Sequence, residues 1–537
     1  MKKRIFIKDW QALKPYEKHS SSDVYYLELA NEINQILHTE YKAFLIHYFE
    51  EKIIDLLAIF LVSYFEDIIS ETHIFPTFVK KYQELYGKKL PFYNTDEYDD
   101  DEINIQDIQF LIWYFLNTLQ DEKLLYPAQP YFEIMASDVM QIFEREYEYA
   151  PENKVLQKVY ELPENATDYY KVREFIQKIL FDSYLFKIDT GFELTLQQLE
   201  IVEERKDDER LMHYINGFTD NFTSFTRTKL LALSGKEWGA YILGKQHPLH
   251  DSLLNISKKI TGLFFYKGQD DTDVFLEHIA SGKKFKLTKK SFNNYNELKE
   301  TDNIIYIGII RWKDEWWFSG SYSNLGFDAN LVLNEKNSVE SRKAVNFLDE
   351  NTKDVKETLR IQQNAFKAIN NNKQIAFMPA QEVEEFIKKF TAFYNNSLNI
   401  SKKEREEAIK SARKDGFFRE ISDNKFEGFD DNFETAVVFF NPKGGVEMAF
   451  EVASSFPDKD NPFYKPENEA VEIVHLFVSK DISAELANYC IDNYQNKLIF
   501  LRTNSGKIFK NYTDFLLRFY KKEHYYSQPQ VTMVGKE

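Results

Sequence analysis

The stretch GLFFYKGQDDTDVFLEHIASGKKFKLTKKSFNNYNELKETDNIIYIGIIRWKDEWWFSGSY, residues 262–322, is the part of the chain that reads as strands throughout. GLFFYK (262–267) and DVFLEHI (273–279) are aromatic and β-branched runs, separated by the turn-prone Gly268-Gln269-Asp270-Asp271. Ala280-Ser281-Gly282 then makes a tight connection in which glycine supplies the positive φ. From Lys283 to Lys289 the chain alternates Lys284, Lys286 and Thr288 against Lys283, Phe285 and Leu287. IIYIGIIRW (304–312), interrupted by Gly308, turns at Lys313-Asp314 into EWWFSGSY (315–322). Five short strands, each with a usable turn, predict a small barrel of the SH3-like or OB-like kind, because closure removes exposed sheet edges.

Working outward, the flanks are helical and the fold class is α+β, predominantly α. The predicted domains are a helical array over 1–245, the barrel over 258–325, a helical segment over 326–415 and a small α+β domain over 416–537. In the first of these, Ser20-Ser21-Ser22-Asp23 reads as the N-cap of a helix starting near Val24, and apolar residues keep helical spacing to about Phe78. Further helices are predicted from Ile105 and over 131–149, 168–187, 194–206 and 208–232, with breaks at Pro151, Pro163 and Gly191. Beyond the barrel, helices are predicted from Ser338 to Asn370, Ala380 to Asn395 and Ser401 to Lys414, the last stopped by Gly416. AVVFF (436–440), a turn at Asn441 to Gly445 and VEMAFEV (446–452) read as a hairpin. Helices from Glu467 to Val478, after Ser483 and from Asn511 to Lys522 follow, with KLIFL (497–501) as a strand.

Composition narrows the class. The 537 residues include 47 Phe and 33 Tyr but only 18 Gly and 14 Pro, which points to aromatic-packed helices and away from glycine-looped nucleotide enzymes. The single Cys490 permits no intramolecular disulfide and reads as a core residue of a helix. The start MKKRIFIKDW has no apolar stretch fit for translocation, and the most apolar run, Leu56 to Val62, is far short of a membrane span, so a cytoplasmic protein without a membrane segment is expected. Net charge is −18, concentrated in residues 1–230, where 42 acidic side chains face 25 basic ones. That half repels nucleic acid at long range, while the remainder is close to neutral.

Catalytic templates fail. Gly235-Lys236, Gly282-Lys283 and Gly506-Lys507 lack the other residues of a phosphate loop, and the glycines at 444 and 445 are what a hairpin turn requires. The acidic loop Asn94 to Glu102 lacks the spacing of a calcium loop and reads as solvated. His247-Pro248-Leu249-His250-Asp251 has no further zinc ligands nearby and reads as a solvated linker, and His278 as a strand residue. No catalytic residue, metal or cofactor is therefore assigned. Lys283, Lys284, Lys286, Lys289 and Lys290 form the densest basic cluster, followed by Trp312, Trp316 and Trp317. Lysines beside aromatics on a small barrel can track phosphates and stack bases, so these eight residues are the candidate site for a partner protein or polyanion. Because adjacent strand residues face opposite ways, at least one of the paired tryptophans packs inward. The alternative function is a hydrolase or nuclease whose carboxylates and histidines converge only in the fold.

Three groups of phrases carry a resemblance: IFIKDWQALKPY with SDVYYLELAN, FLEHIASGKKFKLTKKSF with YIGIIRWKDEWWFSGSYS, and FFNPKGGVEMAF with DFLLRFYKKEHY. Together they resemble a bacterial family of unknown function across most of the chain. The resemblance implies one architecture, and brings no activity, cofactor or catalytic residue with it.

Overall fold

In the computed structural model, which describes residues 4–120, 124–348, 353–398, 433–527 and 529, the chain forms two units. One comprises Met1–Ser257 with Arg311–Asp314, the other Lys258–Ile310 with Glu315–Glu537. Among the described residues no helix is long and apolar enough to cross a membrane.

The first unit is helical because its apolar residues recur at helical spacing. Glu51–Ile69 and Ile105–Leu119 are apolar on nearly every side and are buried accordingly, while Asp23–Glu40 and Pro130–Glu146 bury one face each. Ser22 does precede the helix at Asp23, but its side chain caps nothing. The carboxylate of Asp23 ties the preceding segment to the start of the helix, accepting from the Ser20 amide at 2.6 Å, the Trp10 indole at 3.0 Å and the Tyr16 hydroxyl at 2.7 Å. Lys14 lies over the Trp10 ring and forms a fully buried ion pair with Glu66, whose second oxygen accepts from Asn153 at 2.8 Å. Asn153 also donates to Tyr16 and accepts from Ser20, so the KDWQALKPY phrase is wired into one network.

Helix boundaries depart from expectation where backbone groups find local partners. The helix predicted over 168–187 is interrupted by π turns at Lys178–Asp182 and Lys187–Gly191, around the extended Ser183. The one predicted over 208–232 ends at Phe225, because residues 226–234 double back with Leu231 and Ala232 at positive φ. His250 begins a helical turn, His250–Leu254, and is buried beside Leu249 and Leu253, which corrects the solvated linker predicted there.

In the second unit, apart from the last two residues of β4, which belong to the first, β1 (Ile260–Gln269), β2 (Asp273–His278), β3 (Lys284–Thr288), β4 (Ile304–Trp312) and β5 (Glu315–Gly326) match the predicted strands. They close into a barrel in the order β1-β2-β3-β5-β4. β1 is antiparallel to β2 and β4, β2 to β3, and β3 meets β5 in parallel at Leu287 and Trp316. This is a Greek-key closure of the OB kind, not an up-and-down barrel. Phe264, Tyr266, Val274, Leu276, Phe285, Leu287 and Ile305, Ile307 and Ile309 of β4 fill it. Gly308 is required in mid-strand, since a Cβ there would lie 2.0 Å from the Ser319 carbonyl oxygen. Gly282 takes the expected positive φ.

A three-stranded antiparallel sheet follows, with β6 (Ile375–Pro379) and β8 (Gly445–Phe450) on either side of β7 (Thr435–Asn441). The hairpin was predicted, but β6 was not, since five residues between helices carry too little pattern. Within the helix predicted from Ser338 to Asn370 the described residues form two α-helices, Val339–Lys343 and Lys353–Ile369, and a helix not predicted, Ala329–Asn337, precedes them. KLIFL is not a strand: Leu498 and Leu501 are buried three apart, beside a 3-10 turn at Phe500–Arg502. The helix predicted from Asn511 to Lys522 runs over Thr513–Tyr520, and a helix not predicted, Asn504–Asn511, precedes it. Ser483 caps the helix holding Cys490, which is buried as predicted. The helix predicted from Ser401 to Lys414 lies outside the described residues.

Two measurements check this account. Glu66→Gln leaves the Lys14 ammonium buried without its counter-ion and costs about 3–5 kcal/mol in urea unfolding, most of which is recovered by adding Lys14→Met. His278, enclosed at the end of β2 against Phe264, has its pKa pushed down to about 4 by burial. A pKa depressed on folding contributes stability above about pH 6.5 that is lost as pH falls toward 4. The stability difference between wild type and His278→Gln therefore shifts in favour of the variant across that window.

Candidate polyanion-binding face of the barrel

Period-2 alternation sorts β3. Phe285 and Leu287 point into the barrel, while Lys284 and Lys286 are exposed. Across β2, Lys284 is in register with Glu277 and Lys286 with Phe275; across β1, Glu277 is in register with Phe265. Phe265, Phe275 and Glu277 alternate with buried residues and are half-buried themselves, so they share the outer face with the two lysines. Lys267 extends this face from β1, pairing with Asp302 at 2.6 Å and lying 5.8 Å from the Phe265 ring centre. The Asp302 hydrogen bond raises the Lys267 pKa.

The other predicted residues are distributed differently. Lys290 pairs with Glu315 at 2.6 Å, and Lys289 donates to the Asp270 carbonyl and lies over the Tyr295 ring. Lys283 is partly buried at the start of the run. Among the described residues, Lys284 and Lys286 have no hydrogen bond or ion pair from their ammonium groups. Trp316 packs edge-on against Phe285 with the barrel core, and Trp317 is buried. Trp312 is buried in the first unit, its indole donating to the Thr167 carbonyl at 3.1 Å. The inward-packing tryptophan that alternation requires is thus Trp316, and none of the three tryptophans is exposed as Lys284 and Lys286 are. The aromatic part of the face is Phe265 and Phe275, two residues that the sequence signals only through alternation with Phe264, Tyr266, Val274 and Leu276.

Several acidic residues of the first unit are buried, among them Asp23, Glu66, Asp67 and Asp107. Asp67 is buried and accepts from the Ile74 and Phe75 amides and the Tyr184 hydroxyl, and burial raises its pKa. Asp107, pushed up to about 7 by burial, accepts from Tyr64 at 2.7 Å and Tyr98 at 2.8 Å. With Asp23 and Glu66, these carboxylates hold helices and loops together. No cluster of three or more His, Cys, Asp or Glu side chains fit to hold a metal occurs among the described residues.

A sequence-family model described as "Protein of unknown function (DUF3843)" matches residues 4–307, more than half of the chain. No curated protein and no solved structure matches it.

The division of β2 and β3 into two faces has a measurable outcome. Phe285→Ala, inside the barrel, costs about 3–5 kcal/mol of stability by denaturant titration, whereas Phe275→Ala, outside it, costs about 1 kcal/mol or less.

Proposed function

We propose that this chain, which belongs to the DUF3843 family of proteins of unknown function, is a cytoplasmic, non-catalytic binding protein that holds single-stranded nucleic acid on the outer face of β1, β2 and β3. The observation that carries this reading is the pair Lys284 and Lys286, exposed on one face and in register with Phe275 and Glu277. Two residues along a strand span roughly 7 Å, comparable to the separation of neighbouring phosphates in an extended single strand. Phenylalanine faces beside them offer stacking to any base, the means by which small barrels hold single strands with little sequence demand. The five-stranded closure adds support by analogy only, since a fold hosts many functions.

Charge sets the terms of binding. A chain of net charge −18 gives no long-range attraction, so affinity comes from contacts within about 10 Å and is sensitive to salt. The competing hydrolase reading draws no comparable support, because the buried carboxylates already accept from structural donors.

Anisotropy titration of the full chain with a short labelled single strand tests the proposal. Two phosphate contacts predict that log K falls with log salt at a slope of about −1.4. Lys284→Glu with Lys286→Glu weakens binding at least tenfold, flattens that slope and leaves the melting temperature unchanged. Binding that is indifferent to both the substitutions and the salt overturns it.

A further inference from the structure

Glu277 is an anomaly on a face that holds phosphates. It is central in its row, in register with Phe265 on β1 and Lys284 on β3, with roughly 5 Å between neighbouring strands. It is half-buried on the outward side of β2, and among the described residues no hydrogen bond or ion pair engages its carboxylate. A carboxylate is acceptor-only and repels phosphate, so its use on this face is to receive N–H donors.

Resting on the nucleic-acid reading above, we propose that Glu277 reads the base and selects guanine. In a single strand the Watson–Crick edge is open, and side chains recognise bases there while aromatic rings stack on their faces. Guanine presents two adjacent N–H donors on that edge, N1–H and the N2 amino group, which match the two oxygens of one carboxylate. Adenine and cytosine offer a single amino group. Thymine and uracil offer one imide N–H between two carbonyl oxygens that repel a carboxylate. The Watson–Crick edge points away from the sugar, so a base stacked on Phe275, two residues from Glu277 on the same side of β2, with its backbone held beside it by Lys286, can turn that edge along the strand toward Glu277. Paired donors to a charged acceptor are also stronger than neutral contacts, which makes this residue the source of discrimination on a face otherwise tolerant of sequence.

The test uses the full chain and three short strands: all thymine, the same strand with one central guanine, and the same with central hypoxanthine, which keeps N1–H but lacks the amino group. Wild type binds the guanine strand about tenfold tighter than the thymine strand, with hypoxanthine between them. Glu277→Ala brings the three affinities together and raises that for the thymine strand, because a repulsive charge is gone. Glu277→Gln, which keeps the side-chain shape, shows the same rise for thymine and serves in place of the alanine variant if that one melts early. Equal wild-type affinity for all three strands, or a guanine preference that survives Glu277→Ala, overturns the assignment of Glu277 and leaves the binding reading intact. Failure of wild type to bind any of them overturns the binding reading itself.

Discussion

Closure of the barrel through the parallel contact of β3 with β5 is the constraint on which the described face depends. Leu287 meets Trp316 at that seam, and Phe285 packs edge-on against the Trp316 ring. Once Phe285 and Leu287 are committed to the interior, the two-residue period of a strand leaves Lys284 and Lys286 no direction but outward. A one-residue slip would bury two ammonium groups and expose two apolar side chains. The seam therefore determines stability and the chemistry of the surface together. Gly308 belongs to the same constraint, since the close approach of β4 to the Ser319 carbonyl leaves no room for a side chain.

The helical unit depends on a different kind of interaction. Its centre contains charge, with Lys14 and Glu66 paired in full burial and Asp23, Asp67 and Asp107 held by hydroxyls, amides and an indole. Such groups add little net stability compared with apolar packing, but leaving any one unpartnered is costly. They specify which segments meet: residues 10–16, the turn at 20–23, the helix Glu51–Ile69 and Asn153 satisfy one another and have no interchangeable partners. Much of the acidity of this half that appears in composition as a surface property lies on exposed loops such as 94–102, while a distinct set of carboxylates is structural.

The two halves thus use charge in opposite ways. In the helical unit the buried carboxylates are saturated, and their pKa values rise through desolvation where they are most enclosed, as at Asp67 and Asp107. On the barrel, Lys284, Lys286 and Glu277 make no side-chain hydrogen bond or ion pair among the described residues, Glu277 acting on Lys267 through its charge alone, and their directions are set by neighbours in the core. Unpaired charge held at defined spacing by a rigid scaffold is what a binding surface requires.

By itself the sequence determined the elements whose signal is local. The strands of residues 260–326, the long amphipathic helices, the hairpin at 435–450 and the burial of Cys490 all follow from side-chain period and turn chemistry within a few residues. Lys284 and Lys286 were legible as outward-facing for the same reason. Tertiary structure alone decided what depends on partners distant in the chain. The parallel seam of β3 and β5, the strand Ile375–Pro379 and the burial of Trp312 against the Thr167 carbonyl arise from contacts that leave no periodic trace. The same holds for Phe265 and Phe275. Alternation places them outward, but only the register of three strands sets them beside Glu277, Lys284 and Lys286, because a row across a sheet is assembled from residues that share no neighbourhood in sequence.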